Sequence, residues 1–134
     1  MQITKAAGQI LDTLTAGLSA GDIRRVGEQG GAFMQVVVEC QGDGHYSASH
    51  YYESNGDLVP DPDMTFYRRP GGAWIPLSVT QQGRYYQRVA EVDDGVVSTL
   101  NAEGLKTLCR FSAMWMRNIE QQQDLTALAA PNQG

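Results

Sequence analysis

Carboxylates are concentrated in one short stretch of this sequence, where Glu53, Asp57, Asp61 and Asp63 lie with no Lys or Arg among them. Carboxylate oxygens are the ligands that Ca²⁺, Mg²⁺ and Mn²⁺ prefer. The spacing does not match an EF-hand loop, which needs alternate ligands, a central Gly and a distal Glu. Turn chemistry is the simpler interpretation, because Asp side chains cap backbone N–H groups. We assign no metal ligand and treat the four carboxylates as candidate contacts to a partner.

His50 is the titratable neighbour of these carboxylates. With Asp57 or Asp61 it could form a general acid–base pair. No Ser or Cys beside them stands out as a nucleophile, however. We therefore favour a partly buried His50 that is hydrogen-bonded to a loop carboxylate, and we predict no catalytic residue and no cofactor.

A tight turn is predicted in the middle of this stretch. Asn55-Gly56 is the strongest short signal for a type I′ turn, which needs positive φ at both central positions. Pro60 and Pro62 should then interrupt regular strand pairing, because proline has no N–H to donate. His50, Asn55, Gly56 and Pro62 are thus predicted to shape the segment.

Arginines and tyrosines are interleaved in a second region of the sequence. A sheet that presents arginines beside aromatic rings can stack and clamp a single-stranded nucleic acid. The alternative is that these arginines pair with the acidic stretch and with cross-strand partners. The candidate nucleic-acid residues are Arg68, Arg69, Arg84 and Arg88, with Tyr67, Tyr85 and Tyr86 among them.

The overall composition limits the classes of function. The chain has 134 residues and a formal net charge of -5, which argues against broad binding to a phosphate backbone. No apolar run reaches the roughly 18 residues of a membrane span, and the N-terminus lacks the pattern of a signal peptide. Cys40 and Cys109 have no metal-site spacing, so we expect two reduced, buried thiols in a cytoplasmic protein.

The hydrophobic pattern predicts one α+β domain over residues 1–134. Turns connect the strands, so the sheet should be antiparallel, with about five strands. Both helices should pack on one face of it. The expected segments are a helical N-terminal segment (1–31), an antiparallel sheet (32–92), a C-terminal helix (98–122) and a frayed tail (123–134). Asn101 is a good N-cap, so the closing helix should start near it.

The alternation of apolar residues in the predicted strands and their spacing in the predicted helices indicate which residues form the core. The predicted strands are residues 32–40, 45–52, 64–69, 73–80 and 84–92, and a short turn is expected over residues 22–26. Met34 and His50 should face the core side of their strands. Trp and Met residues on the last helix are more typical of a core than of a partner-binding stripe. We expect one core that contains Val36, Val38, Leu105, Leu108 and Trp115.

Residues 50–64 resemble an uncharacterised family of small proteins from phages, plasmids and integrated mobile elements. Its members carry His-Tyr-x-Glu/Gln-x-Asn-Gly-Asp-Leu followed by Asp-Pro-Glu/Asp-Met. Here the pattern reads His50-Tyr51-Tyr52-Glu53-Ser54-Asn55-Gly56-Asp57-Leu58 and Asp61-Pro62-Asp63-Met64. The likeness covers about residues 33–90. It implies a mobile-element setting and no particular reaction.

Three functions follow as hypotheses. The favoured one is a non-catalytic accessory protein of a phage or mobile element, which acts by protein–protein contact on a host protein. That host protein would bind nucleic acid or belong to a defence system. The second is a metal-dependent hydrolase or nuclease that uses residues 50–63. The third is a binder of single-stranded nucleic acid that uses the Arg/Tyr strands.

Overall fold

The fold was obtained as a computed structural model that describes residues 1–27 and 33–129, apart from the side chains of residues 52–54, 57–60, 127 and 129. Within these residues the strands form an antiparallel sheet in the order β1-β2-β3-β4-β5-β6 and a separate two-stranded sheet, β7-β8. The elements are α1 (Lys5–Thr15), β1 (Ile23–Val26), β2 (Val36–Gly42), β3 (His45–Ser54), β4 (Asp57–Arg68), β5 (Trp74–Gln81), β6 (Tyr85–Arg88), β7 (Ala90–Asp93), β8 (Val96–Thr99), α2 (Ala102–Gln122) and α3 (Thr126–Ala129). The α+β class, the antiparallel sheet and the two terminal helices are confirmed, whereas the prediction of about five strands was too low.

Both long helices begin at side-chain caps. The Thr4 hydroxyl accepts a hydrogen bond from the Ala7 N–H at 3.4 Å, and the Asn101 side chain accepts from the Gly104 N–H at 2.9 Å. Such caps satisfy N–H groups that have no partner within the helix. The start of α2 at Asn101 confirms the predicted boundary.

The helices pack on one face of the six-stranded sheet. The Trp115 ring lies against His50 of β3, and the Ser112 hydroxyl lies 3.9 Å from the Met64 sulfur of β4. On α1, Gly8 lies so close to Trp74 that an added Cβ would be 3.3 Å from its ring. One core results, and it contains the predicted residues Val36, Val38, Leu105, Leu108 and Trp115.

Residues 50–64 lie in a long hairpin, not in a loop. Asn55 (φ 53°) and Gly56 (φ 84°) have the positive φ values of the predicted turn. The prediction that proline interrupts pairing was wrong for Pro60, which pairs with Tyr51, whereas Pro62 lies in a bulge opposite His50, where the register shifts. Before Asp63, β4 pairs with β3 alone, so half of its N–H groups face away from the ladder and proline can be accommodated.

Several predicted elements have other boundaries in the structure. Residues 23–26 form strand β1 instead of a turn, because they pair with β2. Strand β2 begins at Val36, and Met34 is 43% exposed, so its predicted place in the core was wrong. The start of that predicted strand, residue 32, lies outside the described residues.

The last predicted strand, residues 84–92, is divided at the buried residue Val89. Its N–H donates to the Leu77 carbonyl at 2.8 Å, and its carbonyl accepts from the Leu100 N–H at 2.9 Å. The chain thereby leaves the large sheet after β6 and enters the β7-β8 hairpin, which the pattern did not predict. The predicted frayed tail instead contains the short helix α3 (Thr126–Ala129), and its last residues, 130–134, lie outside the described residues. No helix among the described residues is long and apolar enough to cross a membrane.

Candidate interaction surface

The face of the large sheet opposite the helices carries two unbroken cross-strand rows. Directly opposed residues of antiparallel strands lie on the same face, and the registers align across all pairs from β1 to β6. We call this surface the open face. One row is Arg25, Val37, Ser49, Asp63, Thr80 and Tyr86, and the other is Ile23, Glu39, Ser47, Thr65, Ser78 and Arg88.

Small hydroxyl side chains form the middle of the open face. The Ser49 hydroxyl donates to the Asp63 carboxylate at 2.9 Å, and the Thr65 and Ser78 hydroxyls are 2.6 Å apart. Ser49 and Ser78 are buried, and Ser47 and Thr65 are half-buried. Because the neighbouring hydroxyls are fixed and no long side chain stands between them, the middle of this face is flat and polar, with larger groups at its edges.

The carboxylates of the β3-β4 hairpin serve different elements where they are described. The Asp61 carboxylate accepts from the Gln82 N–H at 2.8 Å, in the turn after β5, whereas the Asp63 carboxylate accepts from Ser49 on β3. The side chains of Glu53 and Asp57 lie outside the description. Within the described residues no group of three or more His, Cys, Asp or Glu side chains could hold a metal ion. For Asp61 and Asp63, structural hydrogen bonding is thus the role that the geometry supports.

His50 lies on the core side of β3, as predicted, and is 5% exposed. Neither Asp61 nor Asp63, the hairpin carboxylates whose side chains are described, makes the expected hydrogen bond to it. Instead, the indole N–H of Trp115 donates to Nδ1 of His50 at 3.2 Å, and among the described residues Nε2 has no partner. Burial lowers the pKa of His50. A neutral ring held between β3 and α2 fits a structural role better than a catalytic one.

The structure does not bring the four arginines together. Arg68 points to the helix side, where its Nε donates to Asp12 of α1 at 2.9 Å. The same carboxylate oxygen accepts from the buried Trp74 indole at 2.9 Å. Arg69 lies beside the β4-β5 turn, where its N–H donates to the Ala73 carbonyl. Sequence reasoning missed Asp12 as the partner of Arg68, because the two residues are far apart in the chain.

The other two arginines lie at one edge of the sheet, Arg88 in β6 and Arg84 in the turn before it. Arg84 lies over the Tyr85 ring, 4.8 Å from its centre, and donates to the Tyr85 hydroxyl at 2.7 Å. Arg88 donates to Glu91 at 2.5 Å, with both side chains about half exposed, so this pair contributes about 0–1 kcal/mol. Tyr85 and Tyr86 are 53% and 63% exposed. Tyr67, in contrast, is buried and cannot stack on a ligand.

Two other features are separate from the open face. Cys40 and Cys109 are buried free thiols, as predicted, and burial raises the pKa of Cys109, which makes its thiol a poor nucleophile. A groove of about 430 Å³ lies between α1 and the C-terminal segment, lined by residues that include Gln9, Thr13 and Glu120. As far as the described residues define it, none of the predicted site residues lines this groove.

The open face lies within a recognised family domain. Residues 2–125 match the Domain of unknown function (DUF6908). The chain belongs to the DUF6908 family. No curated protein and no solved structure matches it. The DUF6908 match extends from before α1 to beyond α2, so both edges of the sheet and the whole open face are part of the domain. The expectation of an uncharacterised family is thereby confirmed.

Sequence reasoning did not find the open face of this DUF6908 domain. The signal was present as alternation, because Ser47 and Ser49 occupy the polar positions of β3 and Ser78 and Thr80 those of β5. Alternation alone assigns such residues only to the polar side of a strand. Their alignment into rows depends on the registers of six strands, which local patterns do not give.

Proposed function

We propose that this protein is a non-catalytic accessory protein of a phage or mobile element that acts by contact with a host protein. The observation that supports it best is the open face, a flat polar surface that reaches from one edge of the sheet to the other. The mobile-element setting, and a host defence system as the target, rest on the sequence resemblance of residues 50–64 alone.

The open face suits recognition of a protein surface for physical reasons. Its backbone is held by ladders on both sides in β2 to β5, so little conformational entropy is lost when a partner binds. Arg25 and Arg88 at the edges and Glu39 and Asp63 between them provide both signs of charge. Charges of both signs in a fixed arrangement select for a complementary partner more than for any charged surface.

Affinity capture from host lysate with a matched pair of variants tests the proposal. Ser47→Arg places a long charged side chain in the middle of the open face. Gln121→Arg makes the same change in charge at an exposed position of α2. We expect a partner that is recovered with the wild type and with Gln121→Arg and is lost with Ser47→Arg. Equal recovery with all three would contradict contact through the open face.

The hairpin carboxylates are a separate candidate contact, and the same capture assay addresses them. Asp57→Ala/Asp61→Ala removes two of the four predicted contacts. Because Asp61 also caps the N–H of Gln82, the thermal stability of this variant has to be measured beside its recovery. Loss of the partner by a stably folded double variant would move the contact from the open face to the hairpin. Unchanged recovery would leave these two carboxylates with a structural role.

A metal-dependent hydrolase remains the alternative that the acidic hairpin raises. Calorimetric titration with Mg²⁺, Mn²⁺ and Ca²⁺ distinguishes it from the contact protein. Binding at micromolar concentration that is lost in Asp61→Ala would overturn the non-catalytic proposal, whereas the hydrogen bonds of Asp61 and Asp63 favour no such binding.

A single-stranded nucleic-acid binder is the second candidate function. The exposed rings of Tyr85 and Tyr86, next to Arg84, favour it, since bases stack on such rings. Against it, Glu39 and Asp63 lie in the rows of the open face and would repel a phosphate backbone. Fluorescence anisotropy with labelled oligothymidylate tests it directly, with Tyr86→Ala as the variant that should abolish binding.

A further inference from the structure

Strand β6 forms one edge of the six-stranded sheet. The Val89 N–H donates to the Leu77 carbonyl, and residues along an antiparallel strand point their backbone groups alternately toward and away from the neighbour. The N–H and C=O groups of Tyr86 and Arg88 therefore point away from β5. Within the described residues no other strand pairs with this edge.

The charges of β6 argue against pairing with a second copy of itself. Arg84 and Arg88 flank its exposed tyrosines, and no acidic residue lies between them. An antiparallel β6-β6 pair centred on Tyr86 would place Arg84 of one copy opposite Arg88 of the other. Like charges directly opposite each other are destabilising. The other edge strand, β1, also carries two arginines, Arg24 and Arg25, so pairing of β1 with β6 meets the same repulsion.

We infer that the outer edge of β6 binds an extended acidic segment of the partner by strand addition. This inference rests on the proposed contact function and names the kind of segment recognised. Tyr86 and Arg88 lie on the open face, and Arg84 lies two residues before Tyr86, in the turn that leads into β6. The complementary strand has acidic residues opposite Arg84 and Arg88 and a β-branched residue opposite Tyr86, in the pattern acidic-x-β-branched-x-acidic.

The groups already bound to these arginines leave room for such a segment. Glu91 holds Arg88 through one terminal nitrogen, Nη2, whereas a guanidinium has five N–H donors and can bind a second carboxylate. Arg84 donates to a neutral hydroxyl, that of Tyr85. A carboxylate is a stronger acceptor than a phenol, so an acidic side chain can replace that hydroxyl.

The test uses a labelled peptide, acetyl-Thr-Glu-Thr-Ile-Thr-Glu-Thr-amide, and measures fluorescence anisotropy with the full chain. Arg88→Glu should weaken binding by at least about tenfold, since an attractive charge pair becomes a repulsive one. Arg25→Glu, on the opposite edge of the same face, should change it by less than about twofold, because its distance exceeds the screening length. A peptide with Lys in place of Glu should bind more weakly to the wild type and more tightly to Arg88→Glu.

Strand addition requires backbone hydrogen bonds from the peptide, whereas simple charge attraction does not. A peptide that is N-methylated at the Ile should lose binding, because its N–H can no longer join the ladder. Equal weakening by Arg88→Glu and Arg25→Glu, or unchanged binding after N-methylation, would overturn the inference. So would tighter binding of oligothymidylate than of the acidic peptide, or no peptide binding at all.

These outcomes are distinguishable from failure of the proposed function. If the peptide does not bind while Ser47→Arg still abolishes capture of a partner, contact through the open face stands and the edge of β6 is excluded. If Ser47→Arg leaves capture unchanged and the peptide still binds, the edge alone makes the contact.

Discussion

The indole N–H of Trp115 donates to Nδ1 of His50 at 3.2 Å, with the two rings edge to face. This bond joins α2 to the middle of β3 within the core. It fixes the neutral tautomer, because an accepting Nδ1 leaves the ring proton on Nε2. Among the described residues nothing accepts that proton, and a second proton on Nδ1 would break the bond to Trp115.

Stability should therefore depend on the protonation of His50. Burial lowers its pKa below the ordinary value of 6.5, so the unfolded chain binds a proton more readily than the folded one. The free energy of unfolding should therefore be unaffected by the protonation of His50 above about pH 6.5. It should fall as the pH decreases toward the lowered pKa, by at most about 1.4 kcal/mol per pH unit. Urea denaturation between about pH 5 and pH 7.5 measures it.

His50→Gln is the matched variant for this prediction. Its side-chain oxygen can still accept from Trp115, and it does not titrate. We expect a smaller fall in the free energy of unfolding at acid pH than in the wild type. Identical pH dependence in the two proteins would show that His50 does not respond as its burial implies.

Asp12 connects α1 to two residues of the sheet region, Arg68 and Trp74. The ion pair with Arg68 is more than a third exposed on both sides, so Arg68→Gln should cost about 0–1 kcal/mol. Trp74 is 1% exposed, and Asp12→Ala would leave its indole N–H without an acceptor, at a cost of about 1–3 kcal/mol. Thermal denaturation of both variants checks that Asp12→Ala loses more stability than Arg68→Gln. Equal losses of stability in the two variants would mean that the ion pair with Arg68 contributes more than the hydrogen bond from Trp74.

Gly56 tests the turn between β3 and β4. An added Cβ would meet no described atom within 4 Å, but φ is +84°, so backbone strain should dominate the cost of Gly56→Val, at about 1–3 kcal/mol. Gly71→Val is the control, since Gly71 has equal space without a positive φ. We expect only Gly56→Val to lower the melting temperature. Unchanged stability of Gly56→Val would contradict the turn.

Leu108 tests how α2 docks on the sheet. It is 5% exposed and belongs to the main core. Leu108→Ala should cost about 2–5 kcal/mol through lost burial and a cavity. The exposed neighbour Lys106 serves as the control, and Lys106→Ala should stay within about 0.5 kcal/mol of the wild type. A loss below that level for Leu108→Ala would exclude the docking described.

Signals that are local in the chain predicted part of this fold. The cap at Asn101 and the turn at Asn55-Gly56 each depend on a few consecutive residues, and both were predicted. Asp94-Gly95 carries the same turn signal, with φ values of 49° and 78°. It was interpreted as the end of a strand, and for that reason β8 was missed.

The remaining features depend on residues that are far apart. Strand β1 contains Arg24 and Arg25 and has little strand pattern of its own, so its pairing with β2 determines its conformation. The bond between Asp12 and Trp74 and the rows of the open face arise from packing and register. The concentration of carboxylates in the acidic stretch indicated contacts to a partner, yet two of these carboxylates accept hydrogen bonds from backbone or hydroxyl groups of this same chain.

Site-specific crosslinking in host cells tests contact through the open face most directly. A photoreactive amino acid is placed at position 47, on the open face, or at position 121, on the exposed side of α2. We expect one crosslinked host protein from position 47 and none from position 121, and the adduct should disappear when Thr65→Arg is added beside position 47. Crosslinks from position 121 alone, or adducts from position 47 that persist with Thr65→Arg, would contradict it.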